Sequence, residues 1–252
     1  MDQQQSFTPI SSLGEFGLIE KFQQQAPVQN PTSLQGIGDD AAVIQNEEGT
    51  TVSSTDMFLE GIHFDLVYTP LQHLGYKAVV ATISDIYAMN TYAQQIVVSI
   101  GMSQKFSVEM VDDLFSGMRV ACETYGVDLV GGDTTSSLSG LVLSLTAYGQ
   151  AKAQDLTYRS GALDGDLICV SGDLGAPLLG LTVLEREKKV FMDNPDVQPS
   201  LAGYDTILQK HLRPEARRDM VDMLASYKVK PNAMIDISDG LASDILHICK
   251  QS

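Results

Sequence analysis

With 252 residues the chain is long enough for one large domain or two of ordinary size. Hydrophobic residues make up 44% and charged residues 19%, a globular composition that excludes a disordered chain. Sixteen Lys and Arg against 32 Asp and Glu leave a net charge of −16. That field repels phosphate backbones and anionic lipid, so neither nucleic acid nor a membrane is expected as a partner.

The opening residues, MDQQQSFTPI, lack a basic flank and an apolar core, so no signal peptide is expected. No run approaches the roughly 20 apolar residues that a membrane helix needs. Cys122, Cys169 and Cys249 are odd in number, far apart and without a CxxC pair, which argues against disulfides and thiolate zinc. A protein of the reducing cytoplasm is expected. Ser12 and Glu15 have capping-box spacing, and Phe16, Ile19 and Phe22 recur at helical intervals, predicting a short helix that ends near Ala26-Pro27. Residues 31–35 are read as no strand. Residues 41–45 and 51–56 read as strands joined by the turn Asn46-Glu47-Glu48-Gly49. A helix over 71–89, a strand over 96–102 and an amphipathic helix over 107–125 follow. A buried strand over 127–130 and a strand over 141–150 complete this half. The mixture of hairpins and crossovers predicts an α/β chain built of α+β layers.

A second unit is expected to begin near residue 151, giving domains over 1–150 and 151–252. Turn-rich YRSGA and DGD precede a predicted strand over 167–170. Helices over 176–189 and 216–227, a strand over 233–237 and a helix from Leu241 follow. Two strands are few for about 100 residues, and the last helix meets Ser252 without a Gly or Pro terminator. This unit is therefore expected to be incomplete.

Of the 32 acids, 22 are Asp, a short side chain suited to turns, caps and hard-cation sites. Several fall just past an apolar strand or in a Gly-containing turn: Asp39 and Asp40 in GIGDDAAV, Asp56 in SSTD, Asp133 in LVGGDTT, and Asp236 with Asp239 in IDISDG. Asp85, in ATISDIYAM, stands among apolar neighbours. Any one of them has an ordinary structural reading; Asp39 suits a turn and Asp239 a helix N-cap. As a set they are harder to dismiss. A buried carboxylate is costly unless paired or metal-bound, and no Lys or Arg lies within these motifs. Oxygen-only ligation without local Cys or His points to Mg²⁺ or a similar hard ion. Gly36-Ile37-Gly38-Asp39-Asp40-Ala41 fits GxGxxA, but a dinucleotide fingerprint needs a strand before the glycines and a helix after them. Neither a GxxxxGK[ST] loop nor a Ser-His-Asp arrangement is legible. His63 in EGIHF, seven residues past Asp56, is within reach of the same pocket or is a plain loop histidine. Arg159 in YRSG either meets a phosphate or ties the two units together.

The stretches GEFGLIEKF, GIGDDAAV, SSTDMFLEGIHF, YKAVVATISDIYAM, LVGGDTTSS, RSGALDGD, KHLRPEAR and IDISDGLASD together resemble the thiamine-monophosphate kinase family. Its superfamily includes aminoimidazole ribonucleotide synthetase, selenophosphate synthetase and a hydrogenase-maturation dehydratase. The resemblance implies a two-domain α/β fold like that of the synthetase, dimerising through the amino-terminal sheet, with the carboxy-terminal domain truncated here. It implies direct transfer of the ATP γ-phosphoryl group to thiamine monophosphate, giving thiamine diphosphate. Carried over by motif, Asp40, Ser54, Thr55, Asp56, Asp85, Asp133, Asp236 and Asp239 would hold several Mg²⁺ ions. Gly132, Asp133, Arg159 and Ser238 would contact ATP, with Phe115 beside the nucleotide, and His63 would face the thiamine phosphate. Since the acceptor is already an anionic phosphate oxygen, no catalytic base is expected. The alternatives are an ATP-using relative acting on another small molecule, such as a ribonucleotide, and a non-catalytic nucleotide- or Mg²⁺-binding fragment.

Overall fold

The computed structural model of the chain describes residues 31–252 and, before them, Gly17, Glu20, Gln23 and Gln24. The predicted leader and Phe16, Ile19 and Phe22 lie outside the described residues, while Gly17, Glu20, Gln23 and Gln24, within the predicted helix, are helical. Among the described residues, six strands form one sheet in the order β1-β2-β3-β6-β4-β5. The strands are β1 (Ser33–Gln35), β2 (Ala42–Asn46), β3 (Gly49–Leu59), β4 (Ala93–Met102), β5 (Asp128–Ser136) and β6 (Val142–Ala151). All neighbours pair antiparallel except β4 and β5, which are parallel and joined through a helix. The mixed α/β architecture is as expected.

The β2–β3 hairpin closes as predicted, Asn46 pairing with Gly49 while the Asn46 side chain accepts the N–H of Glu48 at 3.0 Å. Strand β1 corrects the reading of residues 31–35: Ser33 and Gln35 pair with Ile44 and Val43. The dinucleotide fingerprint still fails, because a strand and not a helix follows the glycines.

Helices α1 (Leu71–Ala88) and α2 (Val108–Tyr125) pack against one another, and α1 lies on β3, β4 and β6. Strand alternation builds the core: Leu143, Leu145 and Ala147 of β6 are fully buried, as is Ile96 of β4, while the intervening residues are more exposed. Helix α1 buries residues around most of its circumference, from Leu74 to Ala88, which fits a helix enclosed on several sides. Two glycines let α1 and α2 come close. A Cβ on Gly75 would stand 2.0 Å from the Leu114 carbonyl oxygen, and one on Gly117 would stand 1.8 Å from that of Gln72. Helix α2 is capped by the Ser107 hydroxyl, which accepts from Met110 N–H, and ends on Gly126 at φ 68°.

Strand β5 corrects a second expectation. The predicted buried strand over 127–130 runs instead from 128 to 136 at the sheet edge and is exposed along its length, Val130 to 58%. Gly132 lets it close on β4, since a Cβ there would meet the Val98 carbonyl oxygen at 1.8 Å.

After β6 the described chain is helical: a short 3₁₀ turn (Ala153–Asp155), then α3 (Ala176–Asp193), α4 (Asp205–Leu212), α5 (Arg218–Tyr227) and α6 (Leu241–Gln251). Neither strand predicted here forms. Residues 167–170 and 233–237 run without ladder partners, and Leu167 and Ile168 are 91% and 73% exposed. A strand exists only where a neighbour satisfies its N–H and carbonyl groups, and none lies beside these segments among the described residues. These helices are tied to the sheet layer by Ala216 and Val221, which are buried in its core, and by polar contacts. Tyr125 Oη accepts Ala216 N–H at 2.9 Å, Lys188 Nζ meets Asp65 at 2.6 Å, and Tyr68 Oη donates to Glu185 at 2.8 Å.

Candidate metal and phosphate site

Three carboxylates converge where the sheet layer meets the later helices. Asp40 sits in the turn before β2, Asp85 in the last turn of α1, and Asp236 in the extended segment before α6. One oxygen from each lies within 4.8 Å of the other two. Separations in sequence of 45 and more than 150 residues are closed by a hairpin, a helix laid across the sheet, and the returning chain.

Hydroxyls orient the carboxylates. Ser54 Oγ, on the α1-facing side of β3, donates a short hydrogen bond to Asp85 Oδ2. Ser84 Oγ donates to Asp236 Oδ2 at 2.7 Å. Arg159 supplies the positive charge: its Nε donates to Asp40 Oδ2 at 3.0 Å and its Nη2 to Oδ1 at 2.6 Å, a fork on a carboxylate with no exposed side-chain surface. Asp39 braces both partners, Oδ1 accepting Asp40 N–H at 2.9 Å and Oδ2 accepting Arg159 N–H at 3.3 Å.

The electrostatics record crowding. Burial first, then the charges of Asp236 and Asp56, raise the proton affinity of Asp85 well above the usual carboxylate range. Asp236 is raised by burial and then by Asp40, against the Ser84 hydrogen bond and Arg159. Burial also raises Asp40, outweighing its bond to Arg159. Asp56 is raised by burial, offset in part by Thr82 and by His63. Acids held this way are poor anions in isolation and good hosts for a hard cation, which restores the ionised form. The donor set is all oxygen, so it fits Mg²⁺ and has nothing to offer a soft metal.

The sequence-derived candidates divide by strand face. Register places Ser54 and Asp56 on the helix-covered face. It aligns Thr55 with Thr146, and Asp133 with Ser99, which itself pairs with Ser144. Directly opposed residues share a face and successive residues alternate, so Thr55 and Asp133 belong to the other, open face. There the Thr55 hydroxyl donates to Leu145 O at 3.0 Å and meets Thr146 at 2.9 Å. Asp133 lines a shallow cavity of about 290 Å³ with Ser99, Thr135 and Ser144. Gly132 shares the helix-covered face but stands three strands from β3, about 14 Å at the usual spacing. Phe115, on α2, borders a separate cavity of about 460 Å³ with Arg119, Cys122 and Leu129. His63 lies by Asp56, its Nδ1 accepting Leu59 N–H at 3.0 Å. Ser238 and Asp239 occupy the exposed turn after Asp236.

Sequence reasoning missed Ser84 and Asp244. Asp244, 2% exposed in the first turn of α6, accepts the N–H groups of Gly240 at 3.0 Å and Asp239 at 3.3 Å, so it fixes the Ser238–Gly240 turn. Its position four residues past Gly240 is the sequence signal of a side chain reaching back over a helix start.

Residues 38–151 match the family model for the AIR synthase related protein, N-terminal domain. The chain is 36% identical over 239 residues to the thiamine-monophosphate kinase of Buchnera aphidicola subsp. Schizaphis graminum, covering 94% of this chain and 69% of that one. To the thiamine-monophosphate kinase of Bacillus subtilis (strain 168) it is 32% identical, covering 95% and 71%. The solved structure "AaThiL complexed with AMPPCP and TMP" superposes with a TM-score of 0.81 at 31% identity, covering 98% of this chain and 73% of that one. Relatives that share a third of their residues across almost all of this chain, and a solved structure that superposes on nearly its whole length, leave one conclusion: the chain belongs to the thiamine-monophosphate kinase family.

Proposed function

We propose that the protein transfers the γ-phosphoryl group of ATP to thiamine monophosphate, releasing ADP and thiamine diphosphate. The observation that carries this reading is the convergence of Asp40, Asp85 and Asp236 within 4.8 Å. Two phosphate anions cannot approach such a group unaided, because unit charges at 4 Å repel by about 4 kcal/mol at an effective dielectric near 20. Mg²⁺ held by Asp40, Asp85 and Asp236, with Ser54 and Asp56 beside them, would supply the charge neutralisation. In our reading Asp239 serves the same cations from its turn, and Thr55 and Asp133 serve a cation on the open face. The oxygen-only donor set supports several hard divalent ions over metals that prefer thiolate or imidazole.

The chain's own groups have separate tasks. Arg159 meets a nucleotide phosphate, and Ser238 presents its hydroxyl in the turn that Asp244 holds. Gly132 and Phe115 flank the nucleotide, and His63 faces the thiamine phosphate beside Asp56. No side chain needs to remove a proton, since the attacking phosphate oxygen is already ionised at neutral pH. Catalysis is then alignment of the two phosphates in line, with their charge neutralised. The unit boundary near residue 150 and a homodimer joined through the sheet belong to the same reading; the exposed edge strand β5 is compatible with it. A synthetase-like acceptor such as a ribonucleotide is the competing substrate.

The test is formation of thiamine diphosphate from ATP and thiamine monophosphate, set beside ADP release on a panel of other acceptors. Asp236→Asn should abolish turnover, and so should excess chelator. Full activity in chelator, or preference for a ribonucleotide acceptor, would overturn the proposal.

A further inference from the structure

Arg159 holds an unusual position among the described cations. Its guanidinium takes both oxygens of Asp40, while the backbone N–H of the same residue is held by Asp39. The arginine side chain is 19% exposed and the Asp40 side chain not at all. Asp40 also belongs to the group whose oxygens lie within 4.8 Å of those of Asp85 and Asp236. A divalent ion drawn by that group therefore meets a resident cation on the oxygens that it needs. A guanidinium and a divalent ion at this range repel strongly, and a two-oxygen carboxylate cannot serve both in full.

We propose that Arg159 is the chain's own counter-ion for Asp40, exchanged for a divalent ion as the carboxylate group loads, so that the freed guanidinium turns to the phosphates of the nucleotide. This rests on the kinase reading above and deepens it, giving the arginine two successive partners instead of one. The exchange needs only the side chain to turn, because the Arg159 backbone N–H is held separately by Asp39. A nucleotide that captures the guanidinium removes the competitor from Asp40, and a cation on Asp40 releases the guanidinium to the nucleotide. Each ligand thereby favours the other, and the coupling is reciprocal.

The full chain is titrated with Mn²⁺ at pH 7.5 without nucleotide, following free Mn²⁺ by electron paramagnetic resonance, for the unmodified protein, Arg159→Met and Arg159→Lys. Binding of AMPPCP at saturating Mn²⁺ is measured on the same proteins by calorimetry. Arg159→Met should bind its first Mn²⁺ at least tenfold more tightly and AMPPCP at least tenfold more weakly. Opposite signs in one variant are something that a merely damaged site cannot produce. Arg159→Lys keeps the charge without the fork and should fall between, with a several-fold gain in Mn²⁺ affinity. It decides the matter if the methionine variant fails to fold. Unchanged or weakened Mn²⁺ binding in the variants, with the unmodified protein binding normally, overturns the exchange and leaves the kinase reading standing. An unmodified protein that binds neither Mn²⁺ nor AMPPCP overturns both.

Discussion

Asp85→Asn offers the sharpest test of the carboxylate cage, because its effect on stability should carry a particular dependence on pH. Two ionised carboxylates at 4.8 Å repel by about 3.5 kcal/mol at an effective dielectric of 20, and Asp85 takes part in two of the three pairs. Burial and this repulsion raise Asp85 past neutrality in the fold, whereas in the unfolded chain it ionises at the ordinary carboxylate value of 3.8. Above pH 4 the folded state therefore holds a proton that the unfolded state has lost, and stability falls as pH rises, by about 1.4 kcal/mol per pH unit for one such proton. From pH 5 to pH 8 that sums to about 4 kcal/mol. Local rearrangement and water entry around an ionised Asp85 hold the penalty below this ceiling, so about 2 kcal/mol is the expected net effect. Asparagine keeps the shape and binds no proton, so in chelator the variant should be the more stable protein, by a margin that widens with pH. At pH 8 the difference corresponds to roughly 5 °C in Tm for a chain of this size. Thermal unfolding followed by circular dichroism at pH 5, 6.5 and 8 reads it directly. Adding Mg²⁺ should reverse the ranking, since the ion stabilises only the intact acidic set. A margin that stays flat or narrows with rising pH would refute the argument.

Gly117→Ala should lower Tm sharply, with a loss on the order of 3 kcal/mol, because its Cβ would overlap the Gln72 carbonyl and force α1 and α2 apart. Asp244→Ala should raise the Mg²⁺ concentration needed for half-maximal turnover several-fold while leaving far-ultraviolet dichroism unchanged, and Asp244→Asn, which retains an acceptor for the Gly240 N–H, should recover much of the loss. Asp133→Asn should leave the first Mn²⁺ affinity of the nucleotide-free chain within twofold of the unmodified value, whereas Asp236→Asn should weaken it at least tenfold; equal losses would contradict the separation by sheet face.

What could be read from the sequence follows the range of the interaction concerned. The hairpin turn at Asn46–Gly49 and the cap of α2 at Ser107 are local hydrogen bonds, and local residue types disclose them. Asp40, Asp85 and Asp236 were legible only within a larger group of aspartates, those just past apolar strands or in Gly-containing turns, together with Asp85 among apolar neighbours. The face on which each acid projects was not legible, because parity depends on register, and β5 runs six residues beyond the strand expected there. Ser84 was hidden for a related reason: its value lies in reaching a residue 152 positions away. Apolar runs such as Leu167–Val170 read as strands by composition alone, yet pairing decides the matter, and no partner lies beside them among the described residues.

The acidic site also sets a limit on how the helices after β6 can sit against the sheet. Arg159 to Asp40 and Ser84 to Asp236 are contacts between residues far apart in sequence, and both end on the cage. Elsewhere the same layers meet through Ala216 and Val221, buried in the core of the sheet layer, and through Tyr125, Lys188 and Tyr68, at polar contacts whose separate contributions are modest. Placing three carboxylates together opposes this docking, and a divalent ion among them converts the opposition into attraction. Cation binding should therefore strengthen the docking of Asp236 on α1 that the Ser84 hydrogen bond already sets. In this arrangement part of the acidity that leaves the chain at −16 has a local use: it gathers carboxylates whose crowding a divalent counter-charge relieves.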